Sequence, residues 1–410
     1  MKQSFTCRAC GCSRGELILD LGIQPLANNL PEPEQLANAE PKFPLQLFVC
    51  PECWLTQITH TVPPVSLFSE YVYFSSFSET MLAHARAAVE RYRRDFGLGK
   101  TSRVAEIASN DGYLLRNFAG AGIPCYGIEP AANVARAAQE KGIETVIDFF
   151  GKKLAERLAD TGKQADLILG NNVFAHAPDI NDFVAGLKTL LSPGGRIVLE
   201  FPYIVDLITR NEFDTIYHEH VFYFALTPLI ALFRRHGLEI VNVEQLPIHG
   251  GSLRIVASHA GKGTASDAVR ELLNAEKKMG LDGMEFYEAF TTRVRETKRQ
   301  LVDLLARLRD EGKRIAAYGA AAKGSTLLNY CGLGRDLIEF VADRSPHKKG
   351  RYMPGAHVPI VPADELVKRM PDYALLLSWN FATEILRQQA EYTRRGGKFI
   401  IPIPTPEVLQ

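Results

Sequence analysis

The sequence predicts an α/β protein built as a small metal-binding module followed by two Rossmann-like domains. Three observations carry that reading. Two Cys-x-x-Cys pairs, Cys7/Cys10 and Cys50/Cys53, stand near the N-terminus, and short apolar strands alternate with helices from Arg103 to about Ser258. The same alternation starts again at Arg314 after a long charged helical stretch. The divisions are a zinc-binding module over 1–75, a ligand-binding central domain over 76–262, a helical connector over 263–312 and a C-terminal Rossmann-like domain over 313–410.

The cysteines come first. A chain of 410 residues has room for two or three domains, and its seven cysteines are odd in number with four in short pairs. That usage argues for thiols and a metal rather than a disulfide framework. Cys7, Cys10, Cys50 and Cys53 suit a tetrahedral Zn²⁺ site, with Cys12 as a spare thiol able to compete with Cys10. Four thiolates leave no open position, so the metal is expected to hold the fold and do no chemistry. A redox Cys-x-x-Cys would call for a βαβ setting, which this Pro- and Asn-rich region does not offer.

Charge and hydropathy narrow the partners. The 47 basic residues balance 47 acidic ones, so no bulk field recruits nucleic acid or an anionic membrane. No apolar run reaches membrane-spanning length, and a cytoplasmic protein is expected. The next segment, Tyr71-Val-Tyr-Phe-Ser-Ser-Phe-Ser78, is dense in rings and hydroxyls. In an extended chain Tyr71, Tyr73, Ser75 and Phe77 share one side; ligand lining and a plain packing linker are both open.

The central domain turns on Val104–Ile107, a strand that runs through Ala108-Ser-Asn-Asp-Gly112 into a helix over 112–119. Such a turn is where α/β sheets bind nucleotide-like ligands. It lacks the glycine fingerprint of a dinucleotide site, and Glu106 and Asp111 suit a cation better than a phosphate. S-adenosyl-L-methionine, with a sulfonium, an ammonium, a ribose and an adenine, fits that chemistry. A second strand over 125–129 ends on Glu129, near the offset of a ribose-binding acid. A third over 145–149 offers Asp148 to the adenine amino group and Phe149 to its face. A fourth over 165–169 delivers Asn171 and Asn172 to the same edge, and a fifth runs over 195–201. Helix capping by Glu129 and Asp148 and a core place for Phe149 are the ordinary alternatives.

Beyond the fifth strand, Tyr217-His-Glu-His220 packs four proton-handling groups into four positions. Strict alternation separates Tyr217 and Glu219 from His218 and His220, so convergence requires a bend. Thr227-Pro228 predicts a helix N-terminus there, and 239–244 and 253–259 predict two closing strands. Over 266–312, apolar positions from Phe286 to Leu308 repeat at helical spacing and predict a docking stripe. The C-terminal domain predicts strands over 314–319, 339–343, 358–361, 373–379 and 398–402 and a helix over 381–395. Its first turn, Gly319-Ala-Ala-Ala-Lys323-Gly324, places a lysine at a helix N-terminus, which suits a phosphate, with a solvent-facing lysine as the alternative.

Taken together, the cysteine pairs, the Tyr-x-Tyr-x-Ser-Ser segment, Glu106-x-Ala-Ser-Asn-Asp-Gly112, Asn171-Asn-Val-Phe-Ala-His176, Tyr217-His-Glu-His220 and Gly319-Ala-Ala-Ala-Lys-Gly324 resemble the nucleotide-sugar C-methyltransferase family. The resemblance spans essentially the whole chain. Ala108 departs from it, since the family usually has glycine there. It implies a zinc domain, a central class I methyltransferase domain that binds S-adenosyl-L-methionine at Glu106, Ala108, Asn110, Gly112, Glu129, Asp148, Phe149 and Asn171, and a C-terminal domain. The sugar nucleotide is then expected between the last two domains, against Ser76, Asn172, His176, His218 and Lys323. By the same resemblance His220 is the base, Glu219 and Tyr217 support it, and Tyr71 reaches in from the N-terminal segment.

The implied reaction is C-methylation, at C3, of a nucleotide-linked 4-keto-6-deoxy sugar. A ketone acidifies the neighbouring C–H, a histidine with a pKa starting near about 6.5 removes the proton, and a donor stabilises the enolate oxygen. O- or N-methylation and a non-catalytic sensor of the donor remain alternatives, whereas a nicotinamide-dependent reductase conflicts with the missing glycine fingerprint. Domain pairing within one chain points to a monomer.

Overall fold

A computed structural model describes residues 5–68, 75–77 and 79–409. The described residues form three sheets. The N-terminal sheet is antiparallel, with β1 (Glu16–Pro25), β2 (Lys42–Val49) and β3 (Thr56–Ile58) in order. Alternating burial along β2 gives it one packed face and one open face, as the period of two requires.

The central sheet contains β4 (Val104–Ile107), β5 (Cys125–Ile128), β6 (Thr145–Val146), β7 (Ala165–Asn171) and β8 (Leu191–Pro202) in parallel. A two-residue strand, β9 (Phe222–Tyr223), leaves this domain and pairs with β3, adding a fourth strand to the N-terminal sheet. The chain then returns as β10 (Leu238–Leu246) and β11 (Ser252–His259), both antiparallel to their neighbours. The spatial order is β10-β11-β8-β7-β4-β5-β6, so the direction of winding reverses between β4 and β7. Ligands of open α/β sheets bind at that reversal, beyond the strand C-termini.

The C-terminal sheet orders β12 (Ile315–Tyr318), β13 (Val341–Asp343), β14 (Ile360–Pro362), β15 (Tyr373–Leu376), β16 (Lys398–Ile401) and β17 (Glu407–Leu409) as β14-β13-β12-β15-β16-β17. Its own reversal lies between β12 and β15. The long helix Met284–Asp310 buries Phe290, Val294, Leu301, Leu305 and Leu308, as its apolar stripe predicts.

Several boundaries differ from expectation for physical reasons. The third central strand stops at Val146, leaving Ile147 and Phe149 exposed beyond the sheet. Ser75–Phe77 winds as a 3₁₀ turn instead of an extended strip, and Tyr71 and Tyr73 lie outside the described residues. Thr227 does not cap its helix, which begins one residue earlier at Leu226. The cap comes from Glu276, whose buried carboxylate accepts the N–H groups of Leu226 and Thr227 and the hydroxyls of Thr227 and Tyr203. The helix expected over 381–395 is broken at Gln389 into Ala382–Gln388 and Ala390–Arg394.

Candidate active site and zinc centre

Two similar turns build the metal centre. Each places a left-handed residue four positions after its first cysteine, Gly11 at φ 78° and Trp54 at φ 62°, and each closes with an N–H from that residue to the cysteine carbonyl at 2.8 Å. The thiols of Cys7, Cys10, Cys50 and Cys53 all lie within 4.8 Å of one another, with Cys7–Cys53 at 3.5 Å and Cys10–Cys50 at 3.6 Å. Tetrahedral Zn–S bonds of about 2.3 Å require sulfurs about 3.8 Å apart, so the cluster fits zinc without rearrangement. Cys12 does not compete: its Sγ turns to the backbone of Arg14.

The candidate donor site lies at the reversal of the central sheet. Ala108, Asn110 and Gly112 adopt φ of 54°, 52° and 75°, so the turn after β4 winds through left-handed positions and leaves its backbone open. Ala108 holds such a position without being glycine, which is unfavourable but tolerated for a single residue. Glu129 accepts the N–H groups of Asn110 at 2.9 Å and Ala131 at 3.0 Å, which pins turn and strand end together. Asn110 Oδ1 accepts the N–H of Ser75 at 2.8 Å, docking the N-terminal segment onto the turn. The Glu106 carboxyl is held well above its usual range by burial, with Glu129 and Asp111 adding to the effect. Asp111 differs from expectation because Lys141 pairs with it at 2.9 Å and compensates its charge.

Glu106 Oε2, Ser109 Oγ and Asn171 Oδ1 are buried with no hydrogen-bond partner among the described residues. Unpaired buried polar atoms are rare, and here they stand at the ends of β4 and β7, where a polar cationic ligand would satisfy them. Phe149 is exposed beyond the end of β6. Asp148 is committed to Arg157 at 2.7 Å and to the N–H of Phe149 at 2.9 Å.

Gly127 on β5 supports the turn, because a Cβ there would stand 2.1 Å from Ser109 Oγ. Gly127→Ala is therefore expected to displace Ser109, lower stability by about 1–3 kcal/mol and weaken donor binding. Thermal melting and calorimetric titration with S-adenosylmethionine test this; unchanged affinity would separate Ser109 from the crevice.

The bend required by Tyr217-His-Glu-His220 is present. The N–H of His220 bonds Tyr217 O at 2.9 Å, closing a turn that brings both side chains to one side. His220 Nδ1 stands 3.1 Å from Thr215 O, and a carbonyl only accepts, so Nδ1 carries the proton. Nε2 is then a lone pair, and the Tyr217 hydroxyl donates to it at 3.0 Å. His176, at the end of the 3₁₀ turn Phe174–His176, sets its ring edge-on to His220 with centroids 4.9 Å apart. Burial lowers its pKa to about 4, keeping it neutral. Asn172, at φ 54°, donates its N–H to Glu200 O at 2.7 Å, and Ser76 is half-buried in the turn that meets Asn110.

Two members of the segment have other partners. Glu219 does not orient His220: both its oxygens accept from Asn28 Nδ2 at 2.8 Å, and burial pushes its pKa up to about 7. His218 donates from Nε2 to Pro44 O at 3.2 Å and packs edge-on to Phe43 and His60, so its N–H is not free for an enolate. The turn closed by the His220 N–H breaks the alternation, so these adjacent side chains both meet the N-terminal module, at Asn28 and Pro44. Lys323 also differs from the phosphate-binding expectation, since it sits over the Trp379 ring at 4.6 Å and faces Asp214 and Glu212. Those two carboxylates gave no motif signal in the sequence. Burial raises Asp214 to about 6 and Glu212 to about 8, in each case against the opposing pull of Lys323.

Burial lowers His218 to about 4, as it does His176. A depressed histidine pKa means that the unfolded chain takes up a proton near its ordinary pKa of about 6.5 while the folded chain does not. The stability is fully present above that value and is lost as pH falls from there towards about 4, at roughly 1.4 kcal/mol per pH unit per histidine. His218→Gln is expected to remove about half of this acid dependence, measured by denaturant unfolding across that window. An unchanged slope would mean that His218 is protonated in the fold.

A central sheet with two antiparallel closing strands, a glycine-terminated acidic turn and an acid at the end of the second strand define a class I methyltransferase domain. The chain belongs to the C-methyltransferase family. Family models match a zinc binding domain at 7–68, a methyltransferase domain at 81–243 and a C-methyltransferase C-terminal domain at 247–404. C-methyltransferase NovU of Streptomyces niveus is 38% identical over 404 residues, covering 98% of this chain and 96% of that protein. Ubiquinone biosynthesis O-methyltransferase of Chelativorans sp. (strain BNC1) is 30% identical over 94 residues, covering 23% of this chain and 37% of that protein. Among solved structures, magnesium protoporphyrin IX methyltransferase of Synechocystis PCC 6803 with bound S-adenosylmethionine aligns with a TM-score of 0.34 at 16% identity, over 44% of this chain and 79% of that one. The Cys7, Cys10, Cys50 and Cys53 cluster lies at the zinc binding match, and the turn after β4 lies within the methyltransferase-domain match. No helix among the described residues is long and apolar enough to cross a membrane.

Proposed function

We propose that this C-methyltransferase acts on C3 of a nucleotide-linked 4-keto-6-deoxy sugar held between the central and C-terminal domains. The observation that carries the reading is the fixed tautomer of His220, which leaves a neutral Nε2 lone pair beside a phenol hydroxyl. An oxygen or nitrogen nucleophile needs little activation, whereas a carbon must first lose a proton to a placed base.

When bound, S-adenosylmethionine supplies an electrophilic methyl group. Nε2 of His220 takes the C3 proton, the C–H electron pair forms the C3–C4 double bond, and the carbonyl π pair moves onto the ketone oxygen, to return when C3 attacks. The Tyr217 hydroxyl turns from Nε2 to that oxygen, a donation useful only once charge develops there. Carbon then takes the methyl group, and the C–S electron pair stays on sulfur. Thr215 O holds the Nδ1 proton throughout and favours the imidazolium. His176, neutral beside His220, does not oppose that charge.

Deuterium wash-in tests the reading. The protein is incubated in D₂O with S-adenosylhomocysteine and a panel of dTDP-, GDP- and CDP-4-keto-6-deoxy sugars, and the C3 proton is followed by NMR. Enzyme-dependent exchange with one sugar supports carbon-acid chemistry and names the nucleotide. Turnover with S-adenosylmethionine to a product methylated on oxygen or nitrogen would overturn it.

A further inference from the structure

The segment that fixes the His220 tautomer belongs to the central domain but is held by the C-terminal one. Phe213–Thr215 is a 3₁₀ turn against the helix Ala322–Cys331. The Trp379 indole N–H donates to Asp214 Oδ2 at 2.7 Å, and the Thr326 hydroxyl donates to Ile216 O at 3.1 Å. Phe213 meets Tyr330 ring to ring at 5.4 Å. Thr215, between the two bonded residues, is further fixed by its own hydroxyl bond to Glu212 O at 2.7 Å. Its carbonyl is the one that receives Nδ1–H of His220.

Trp379 and Lys323 follow β15 and β12, the strands that flank the reversal of the C-terminal sheet. The turn there is tight: a Cβ on Gly319 would stand 2.3 Å from Ser378 Oγ. The reversal of the C-terminal sheet is thus joined to the base by a short covalent and hydrogen-bonded path. From the indole to the imidazole it crosses Asp214, one peptide bond and the Thr215 carbonyl.

We propose that Trp379 and Thr326 are positioning residues for the base: through Asp214 and Ile216 they hold the Thr215 carbonyl where it selects the Nδ1–H tautomer of His220. The C-terminal domain is therefore part of the proton-transfer machinery as well as a holder of the nucleotide. This rests on the reading of His220 as base.

Trp379→Phe keeps a ring over Lys323 but removes the indole donor, and Thr326→Val keeps the volume but removes the hydroxyl. Each is expected to lower kcat about tenfold, as small displacements of a reacting group do, with KM for the sugar nucleotide and affinity for S-adenosylmethionine within about twofold of normal. In ¹⁵N-histidine NMR, the signals that disappear in His220→Asn should show a single Nδ1–H tautomer in the native protein and a mixture in either variant. Placed on a His220→Asn background, Trp379→Phe should cause no further loss, because it acts through the missing ring.

Unchanged kcat and tautomer in both variants would overturn the proposal. So would a change confined to KM, or losses that multiply with that of His220→Asn. If Trp379→Phe does not fold, Thr326→Val carries the same comparison. Normal turnover in His220→Asn alone would sink the assignment of the base, while the NMR comparison would still decide whether these residues set the tautomer.

Discussion

His220→Asn should bind S-adenosylmethionine normally and turn over roughly two orders of magnitude more slowly, or worse, as expected for loss of a general base. The substitution is matched to the site. An asparagine amide can still donate to Thr215 O, so the turn keeps its inner bond, while the Nε2 lone pair facing Tyr217 is gone. The proposed donor site is the Ala108–Gly112 turn held by Glu129, whereas His220 is fixed by Thr215 O on a separate turn. Calorimetric titration with the donor and single-turnover methyl transfer measure the two quantities separately. Near-normal turnover would remove His220 from the mechanism, and loss of donor binding would place its effect in the fold instead.

Cys50→Ser should lose zinc and several kcal/mol of stability, a substantial part of the roughly 10–16 kcal/mol that four-ligand zinc sites contribute in small zinc-finger peptides. Cys50 is buried and closes its turn through Trp54, so the hydroxyl that replaces the thiolate is a poorer ligand inside a cavity shaped for sulfur. Because β3 leads directly out of this turn and pairs with β9, two residues beyond His220, turnover should fall along with metal content. Metal analysis, thermal melting and kcat on the same preparation test this. A slower enzyme that retains full zinc and normal stability would contradict a structural role.

The cysteine cluster and the strand-to-turn geometry after β4 were legible because their signals are local. A Cys-x-x-Cys pair and a strand-to-turn transition each show within a dozen residues, and the ends of β4, β5 and β7 fall close to where apolar periodicity sets them. The roles within Tyr217–His220 were half legible. The density of ionisable groups marked the place, but which side chain faced which neighbour depended on one backbone turn. Glu219 and His218 were assigned to chemistry because nothing in the sequence shows Asn28 or Pro44 approaching from a module almost two hundred residues earlier. The same limit hid Asp214, whose partner Trp379 is 165 positions away. Thr227 failed as a cap for a related reason: a buried glutamate from a later helix satisfied the amides first.

The pairing of β3 with β9 has a consequence for how the chain can be made and cut. The N-terminal module leaves the ribosome first, yet its sheet lacks a fourth strand until Phe222 and Tyr223 have been synthesised. Until then the Thr56–Ile58 edge carries unpaired amides and carbonyls, the kind of edge that recruits other chains. A fragment severed at the apparent boundary near residue 75 would keep that edge permanently. The module is thus separable in sequence, while its sheet is completed only by a strand of the central domain.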